Sequence, residues 1–182
     1  MHQFSTSVPL LETERLKLRG HVLADFPYCA AMWADPLVTQ FIGGRPLTEE
    51  ESWARMLRYI GHWSLLGFGF WVIEEKATGE FVGEAGFADY KRNVDPMLAG
   101  VPEIGWVLAS RVHGRGYATE AVRAVAAWGD CHFKSAATAC IIAPDNLASI
   151  RVALKCGYKE DRLASYKGRP TMIFVRDAKV MF

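Results

Sequence analysis

Glu103-Ile-Gly-Trp-Val-Leu-Ala-Ser-Arg-Val-His-Gly-Arg-Gly-Tyr-Ala-Thr-Glu120 is the stretch on which the fold turns. Its apolar first half reads as a strand, and the segment from Gly116 to His132 reads as a helix. Ala118, Ala121, Val122, Val125, Ala126 and Gly129 fall on one face of that helix. Between strand and helix lie Gly114 and Gly116, which reach torsions closed to other residues and let backbone N–H groups approach a ligand. The first helical turn adds unpaired donors and the positive end of the dipole. Together these form a cradle for a pyrophosphate, with His113 and Arg115 beside it. A Walker loop would need Gly-Lys-Ser/Thr, which is absent. A dinucleotide fingerprint would need Gly or Ala where Thr119 stands, inside a βαβ unit. Taken alone, the Gly-x-Gly pair also fits a structural turn.

Upstream, residues 14–20 alternate apolar Leu16 and Leu18 with charged neighbours, the period of a strand. Asp25 is placed to cap a helix that runs to Asp35 and stops at Pro36. Thr48 followed by Glu49, Glu50 and Glu51 is a capping-box start. The helix it opens runs to Leu66, with Trp53, Leu57, Ile60 and Trp63 at helical spacing and Gly67 and Gly69 at its end. Residues 70–76 and 81–90 read as a hairpin through Thr78-Gly79, and 93–101 as a loop. Downstream, 138–143 is a short strand and 146–156 a helix stopped by Gly157. Two strands, 159–166 and 171–179, flank Lys167-Gly168-Arg169-Pro170. The order β-α-α-β-β-β-α-β-α-β-β predicts a mixed sheet with helices on its faces.

The 182 residues fit a single domain, 1–182, with its core at about 10–180. Half the chain is hydrophobic (51%) and the net charge is +1, which excludes a disordered chain and argues against nucleic acid as partner. Cys29, Cys131, Cys140 and Cys156 form no C-x-x-C pair, so free thiols in a reducing cytosol are expected. Residues 1–11 lack the pattern of a signal peptide, and no apolar run approaches the roughly 18 residues of a membrane span. A cytoplasmic protein is the expectation, monomer or homodimer, with no membrane and no metal.

Arg111-x-x-Gly114-x-Gly116, continuing as Gly-Tyr-Ala-Thr-Glu-Ala, resembles the acetyl-CoA-binding pattern of the GNAT N-acetyltransferase superfamily. Asn146-x-x-Ser149, on a helix ending in Gly157-Tyr158, resembles the second half of that family's cofactor site. Leu11-x-Thr13-x-Arg15-Leu16-x-Leu18-Arg19 is similar to the opening strand of the RimJ/RimL-type branch, which includes ribosomal-protein N-terminal acetyltransferases. The resemblance implies the GNAT acyl-CoA N-acyltransferase fold, α/β (α+β), with a mixed, mostly antiparallel sheet of about seven strands and helices on both faces. It implies acetyl transfer from acetyl-CoA to an amine, of a small molecule or a protein N-terminus. Backbone groups of Val107 and Leu108 should pair with the pantetheine arm. Those of Val112, His113, Gly114, Arg115, Gly116, Tyr117, Ala118 and Thr119, behind Arg111, should hold the pyrophosphate. Asn146 should touch the cofactor arm and Ser149 should lie near the thioester sulfur. Two departures stand out: the family's acid Tyr is Ala153 here, and Leu154-Lys155-Cys156 replaces the branch's Glu-Lys before the terminal glycine.

Glu103, at the head of the strand, is the candidate general base, and Glu84 is its rival. Ser149 or water is left to protonate the thiolate. Asn146 is also a good helix cap in its own right. Cys131-His132 reads as packing, and Trp33, Phe41, Trp53, Trp63, Phe68, Phe70 and Trp71 read mostly as core. An acyl-CoA-binding regulatory domain, a nucleotide-binding oxidoreductase and a transferase for longer acyl groups are the competing functions.

Overall fold

The computed structural model describes residues 8–95, 100–133 and 137–177. Within them the chain runs β1 (Leu11–Glu12), β2 (Leu16–Arg19), a 3-10 turn (Leu23–Asp25), α1 (Phe26–Trp33), α2 (Pro36–Thr39), α3 (Glu49–Leu66), β3 (Phe70–Glu75) and β4 (Phe81–Ala88). It continues through β5 (Val94–Asp95), β6 (Glu103–Leu108), a 3-10 turn (Ser110–Val112), α4 (Tyr117–His132), β7 (Thr138–Ile142), α5 (Leu147–Lys155), β8 (Lys159–Tyr166) and β9 (Arg169–Arg176). One nine-stranded sheet results, in the order β1-β2-β3-β4-β6-β7-β9-β8-β5. The two-residue β1 and β5 are its edges, additions to the strands expected from the sequence. Every neighbouring pair is antiparallel except β6 and β7, which run parallel.

Period-2 alternation sends successive side chains to opposite faces. Ala85, Phe87, Ile104 and Leu108 meet Ala121, Val122, Val125 and Ala126 of α4, with Ala153 of α5 in the same cluster. On the other face Val72, Phe81 and Val107 meet Cys29, Met32 and Trp33 of α1. Tyr59 of α3 stacks on Phe70, ring centroids 4.2 Å apart, a contact worth about 0.5–1.5 kcal/mol beyond its buried area. Phe70 in turn fills the space over Gly105, where a Cβ would lie 2.8 Å from its ring.

The capping box is present: Thr48 Oγ1 accepts from the Glu51 amide at 3.2 Å, and Glu51 accepts from the Thr48 amide at 2.8 Å. Gly67 closes α3 at φ +73°. Its buried stripe, however, is Ser52, Met56, Tyr59, His62 and Trp63. Trp53, Leu57 and Ile60 are exposed, as is Phe41. Trp63 is buried as expected, but its partners in the stripe lie one residue before the expected ones because Tyr59 and Trp63 anchor the helix on Phe70, the latter by an Nε1–H to carbonyl bond of 2.9 Å. Asp25 does not cap α1. Its carboxylate is held by the Arg19 fork, 2.7 Å on each side, and accepts from the Val22 amide. Nor does Pro36 merely stop a helix; it opens α2, capped by Asp35 through the Leu37 amide at 2.8 Å.

Val94 and Asp95, expected as loop, pair with Tyr166 and Ser165 of β8; the rest of that loop, 96–99, lies outside the described residues, as does the expected strand end beyond 177. Strand β9 starts earlier than expected because the hairpin closes on Lys167 and Gly168 alone, both at positive φ (53° and 73°), the two-residue turn that matches strand twist. No helix among the described residues is long and apolar enough to cross a membrane.

Candidate active site

At the end of β6 the chain turns through Ser110–Val112 and enters α4 by way of Gly114 and Gly116, both at φ +80°. Side chains on the loop point inward and fix it. Ser110 donates to Asp35 at 2.5 Å, an imidazole N–H of His113 to the Leu108 carbonyl at 2.9 Å, and Arg111 to the Phe81 carbonyl and, at 3.4 Å, to Glu80. Outward, the backbone is free: among the described residues the amides of Gly114, Gly116, Tyr117, Ala118 and Thr119 donate to nothing. A Cβ on Gly114 would stand in open space. An anion-sized cradle of unpaired N–H groups at a helix N-terminus is what a pyrophosphate requires.

A second glutamate, unread in the sequence, clamps this cradle from behind. Glu120 accepts from Thr13 Oγ1 at 2.6 Å, from the Arg15 amide at 2.8 Å and from Arg15 Nε at 2.8 Å. Arg15 Nη1 reaches on to the Arg115 carbonyl at 3.0 Å, and its guanidinium lies 4.5 Å over the Tyr117 ring. Burial alone would raise the Glu120 carboxyl; the bonds from Thr13 and Arg15 outweigh it and hold the group below the ordinary range.

Strands β6 and β7 register only at Glu103 and Ala139, tied by the Ala139 amide to the Pro102 carbonyl at 3.1 Å. Beyond that point they part, leaving a cleft that opens toward the α4 loop and the α5 N-terminus. The Ala109 amide bonds the Val82 carbonyl on β4, so alternation turns the polar groups of Val107 to β4 and those of Trp106 and Leu108 into the cleft. A Cβ on Gly83 would lie 2.3 Å from the Val107 oxygen, the same orientation. The Val107 groups belong to the ladder with β4 and are not available to an incoming arm; of the two residues expected there only Leu108, together with Trp106, turns its backbone groups toward the cleft. Across the cleft Asn146 Oδ1 caps α5 through the Ser149 amide at 3.1 Å. Among the described residues the side-chain Nδ2 of Asn146 and the hydroxyl of Ser149, both half-buried, have no partner, while the Asn146 backbone amide donates to the Ala143 carbonyl at 2.9 Å.

Glu103 faces the α1–α3 side. Arg92 grips its carboxylate with both forks, at 2.8 and 3.0 Å. Burial pushes the Glu103 carboxyl up, and Arg92 partly restores it. The guanidinium of Arg92 sits between Tyr90 and Tyr166, 4.3 and 4.8 Å from the ring centroids. Deeper on the same face, Glu84 is 1% exposed and fully engaged. It accepts from Trp33 Nε1 at 3.0 Å, meets His21 Nε2 at 2.8 Å, and accepts from Cys29 Sγ at 3.4 Å. Burial and the Glu84 charge raise the Cys29 thiol far above its ordinary range. Ligand atoms of His21, Cys29 and Glu84 lie within 4.8 Å of one another, close enough for a cation, yet they are used as a hydrogen-bonded knot.

Against known proteins, residues 15–159 match the family model described as Acetyltransferase (GNAT) domain. The chain belongs to the GNAT acetyltransferase family. It is 32% identical over 164 residues to the uncharacterized N-acetyltransferase p20 of Bacillus licheniformis, covering 87% of this chain and 89% of p20. It is 34% identical to the uncharacterized protein YkkB of Bacillus subtilis, with 60% of this chain aligned to 62% of YkkB. A GnaT-family acetyltransferase structure from Bordetella pertussis is 31% identical, covers 93% of this chain and 99% of its own, and superposes with a TM-score of 0.81. RimL, a ribosomal L7/L12 α-N-protein acetyltransferase solved with coenzyme A, shares the fold at a TM-score of 0.74 and 15% identity, over 93% of this chain and 98% of its own.

The GNAT fold thus carries most of the residues singled out in the sequence to the C-terminal ends of the central strands β6 and β7: Leu108, the 111–119 loop, Asn146 and Ser149. Glu103 sits at the closed end of the cleft. Arg111 and His113 support the loop with their side chains. Ala153, in the place of the family's acid tyrosine, is fully buried under α4. Cys131 is exposed, contrary to the expected packing role. Arg92, Tyr90 and Tyr166 were missed, since a charge and two aromatics far apart in sequence carry no local signal.

Proposed function

We propose that this chain transfers an acetyl group from acetyl-CoA directly to an amine of low pKa, such as a peptide α-amine, in a ternary complex in the cytoplasm. The observation that carries the reading is the cleft between parallel β6 and β7, which opens on a cradle of free amides. The amides of Gly114 and Gly116–Thr119 receive the pyrophosphate. The backbone of Trp106 and Leu108 pairs with the pantetheine arm, and the side-chain Nδ2 of Asn146 meets it from the other wall. Acetyl-CoA supplies the activated acetyl group.

The amine enters from the α1–α3 face and must be neutral to attack. A lysine-like amine, pKa about 10.4, costs about 4.6 kcal/mol to deprotonate at pH 7, and an α-amine near 7.8 about 1.1 kcal/mol. Both carboxylates on this face are engaged, Glu103 by Arg92 and Glu84 by its knot. A weak, paired base suits the second amine much better. Glu103, directly or through a water, takes the proton. The Trp106 amide, the nearer to Glu103 of the two aimed into the cleft, faces the developing oxyanion. Ser149 Oγ donates a hydrogen bond to the departing thiolate and relays to it a proton that the hydroxyl regains from water. Thiol release from acetyl-CoA, followed with a colorimetric reagent over α-amine and lysine-like acceptors, tests this: the α-amines should be faster at pH 7. A lysine-like acceptor that is faster at that pH would contradict it.

A further inference from the structure

We infer that the acceptor amine itself carries negative charge, a carboxylate or phosphate that meets the β8–β9 tip. The inference rests on reading the α1–α3 face as the acceptor side. A cavity of about 470 Å³ lies there, between the segment after β4 and the hairpin tip. Tyr90, Arg92, Lys91, Tyr166 and Lys167 are among its walls, and among the described residues no carboxylate lines it. Its size suits a small acceptor or the first residues of a peptide.

The charges around it are unevenly balanced. Lys91 is paired with Asp89 at 2.6 Å and Arg92 with Glu103 at 2.8 Å, so both are spent. Lys167 is not. The left-handed turn holds it at the tip, its ammonium 5.5 Å from the Tyr166 ring, and among the described residues it has no acidic partner. Arg169, the next cation along the tip, lies over Gly44 and is likewise without a carboxylate. On the α3 side Arg58 sits 5.0 Å over the Tyr90 ring with no acid bound to it. Behind it Arg55 is stacked 3.9 Å over Trp33, and its buried Nε has no partner. Four cations, Lys167, Arg169, Arg58 and Arg55, thus lie on this side without a carboxylate bound to them among the described residues, and Glu84, the buried acid near Arg55, is already engaged by Trp33, His21 and Cys29. A polyamine or aminoglycoside entering this cavity would meet like charge from both walls. An anionic group would meet Lys167 at the tip, with Arg58, 5.0 Å over the ring of the lining Tyr90, adding positive charge from the α3 side.

The experiment is thiol release at saturating acetyl-CoA over four acceptors: an Ala-Glu-Glu-Glu peptide, phosphoethanolamine, an Ala-Gly-Gly-Gly peptide and spermidine. The anionic amines should exceed their neutral or cationic counterparts by about tenfold in kcat/KM, the effect of about 1.4 kcal/mol. The acidic peptide and phosphoethanolamine arms separate a peptide source from a small phosphorylated one. Lys167→Glu and Arg58→Glu, both at exposed positions, should cancel that preference while leaving the KM for acetyl-CoA unchanged. Spermidine as the best acceptor, or an unaltered ranking in both variants, would overturn the proposal alone. Release with no amine at all, despite bound acetyl-CoA, would overturn the transfer reading and this proposal with it.

Discussion

Replacing Glu120 by alanine removes the acceptor on which the N-terminal strand and the α4 loop converge. Four donor contacts end on this carboxylate or its charge: Thr13 Oγ1, the Arg15 amide, Arg15 Nε and, at 2.6 Å, Arg15 Nη2. Hydrogen bonds to a charged partner contribute about 1.5–3 kcal/mol each when sheltered. The Arg15 side chain is 43% exposed, so water replaces most of what its guanidinium loses and that part shrinks to below about 1 kcal/mol. Thr13 and the Arg15 amide are left, and the sum is about 3 kcal/mol. For a chain of this length that lowers Tm by about 6–12 °C. Arg15 Nη1 also loses its orientation toward the Arg115 carbonyl, so the KM for acetyl-CoA should rise severalfold while kcat changes little. The Glu120 carboxyl is held below its ordinary value in the fold. Its stabilisation is therefore present above about pH 4.5 and is lost as pH falls through the depressed value. That part of the acid limb should vanish in the variant. Thermal melts between pH 3 and 8 and acetyl-CoA saturation curves are the assays. A Tm within about 2 °C of the parent with an unchanged KM would refute the idea that this clamp shapes the cradle.

Further expectations concern the chemistry. Glu103→Gln should cut kcat by roughly 10²–10⁴-fold with acetyl-CoA affinity intact, and the loss of rate at low pH, set by a carboxyl that burial raises, should disappear; a parental rate and pH profile would remove Glu103 from the mechanism. Ser149→Ala should slow thiolate departure and spare binding, visible as a lower kcat at constant acetyl-CoA KM, whereas an unchanged kcat would leave that proton to water. Cys29→Ser should leave kcat within about twofold, since the thiol only serves the buried Glu84 knot; a loss beyond tenfold would place that knot in the reaction.

The strand–loop–helix at 103–132 was legible because glycine torsions, helix periodicity and the missing Walker and dinucleotide residues are all local signals. The same holds for the Thr48 capping box and Gly157. What could not be read was the partner of each signal. Asp25 looks like a cap until Arg19, six residues earlier, claims it. Trp53, Leu57 and Ile60 run to Trp63 as regularly as Met56 and Tyr59 do, and only Phe70 across the fold decides between the two sets. Glu103 reads as a free carboxylate because Arg92 lies beyond a turn. The cleft's polar lining also depends on the β4–β6 register, which no single strand encodes; hence Val107 was expected beside Leu108, where Trp106 stands. Thr13, Arg15 and Glu120 were each quoted within motifs, but their contact across 105 residues belongs to the tertiary structure.

The cradle at the head of α4 is the central claim, and calorimetric titration tests it most directly. Acetyl-CoA, CoA, NAD and ATP should be titrated into the parent chain and into Gly114→Val. At φ +80° a β-branched residue is strained, and its side chain would occupy the open space above the free amides. The account predicts binding of acetyl-CoA and CoA alone by the parent and its loss in the variant, with the variant's melting transition still cooperative. Uptake of NAD or ATP in place of CoA, or parental acetyl-CoA affinity in Gly114→Val, would contradict it.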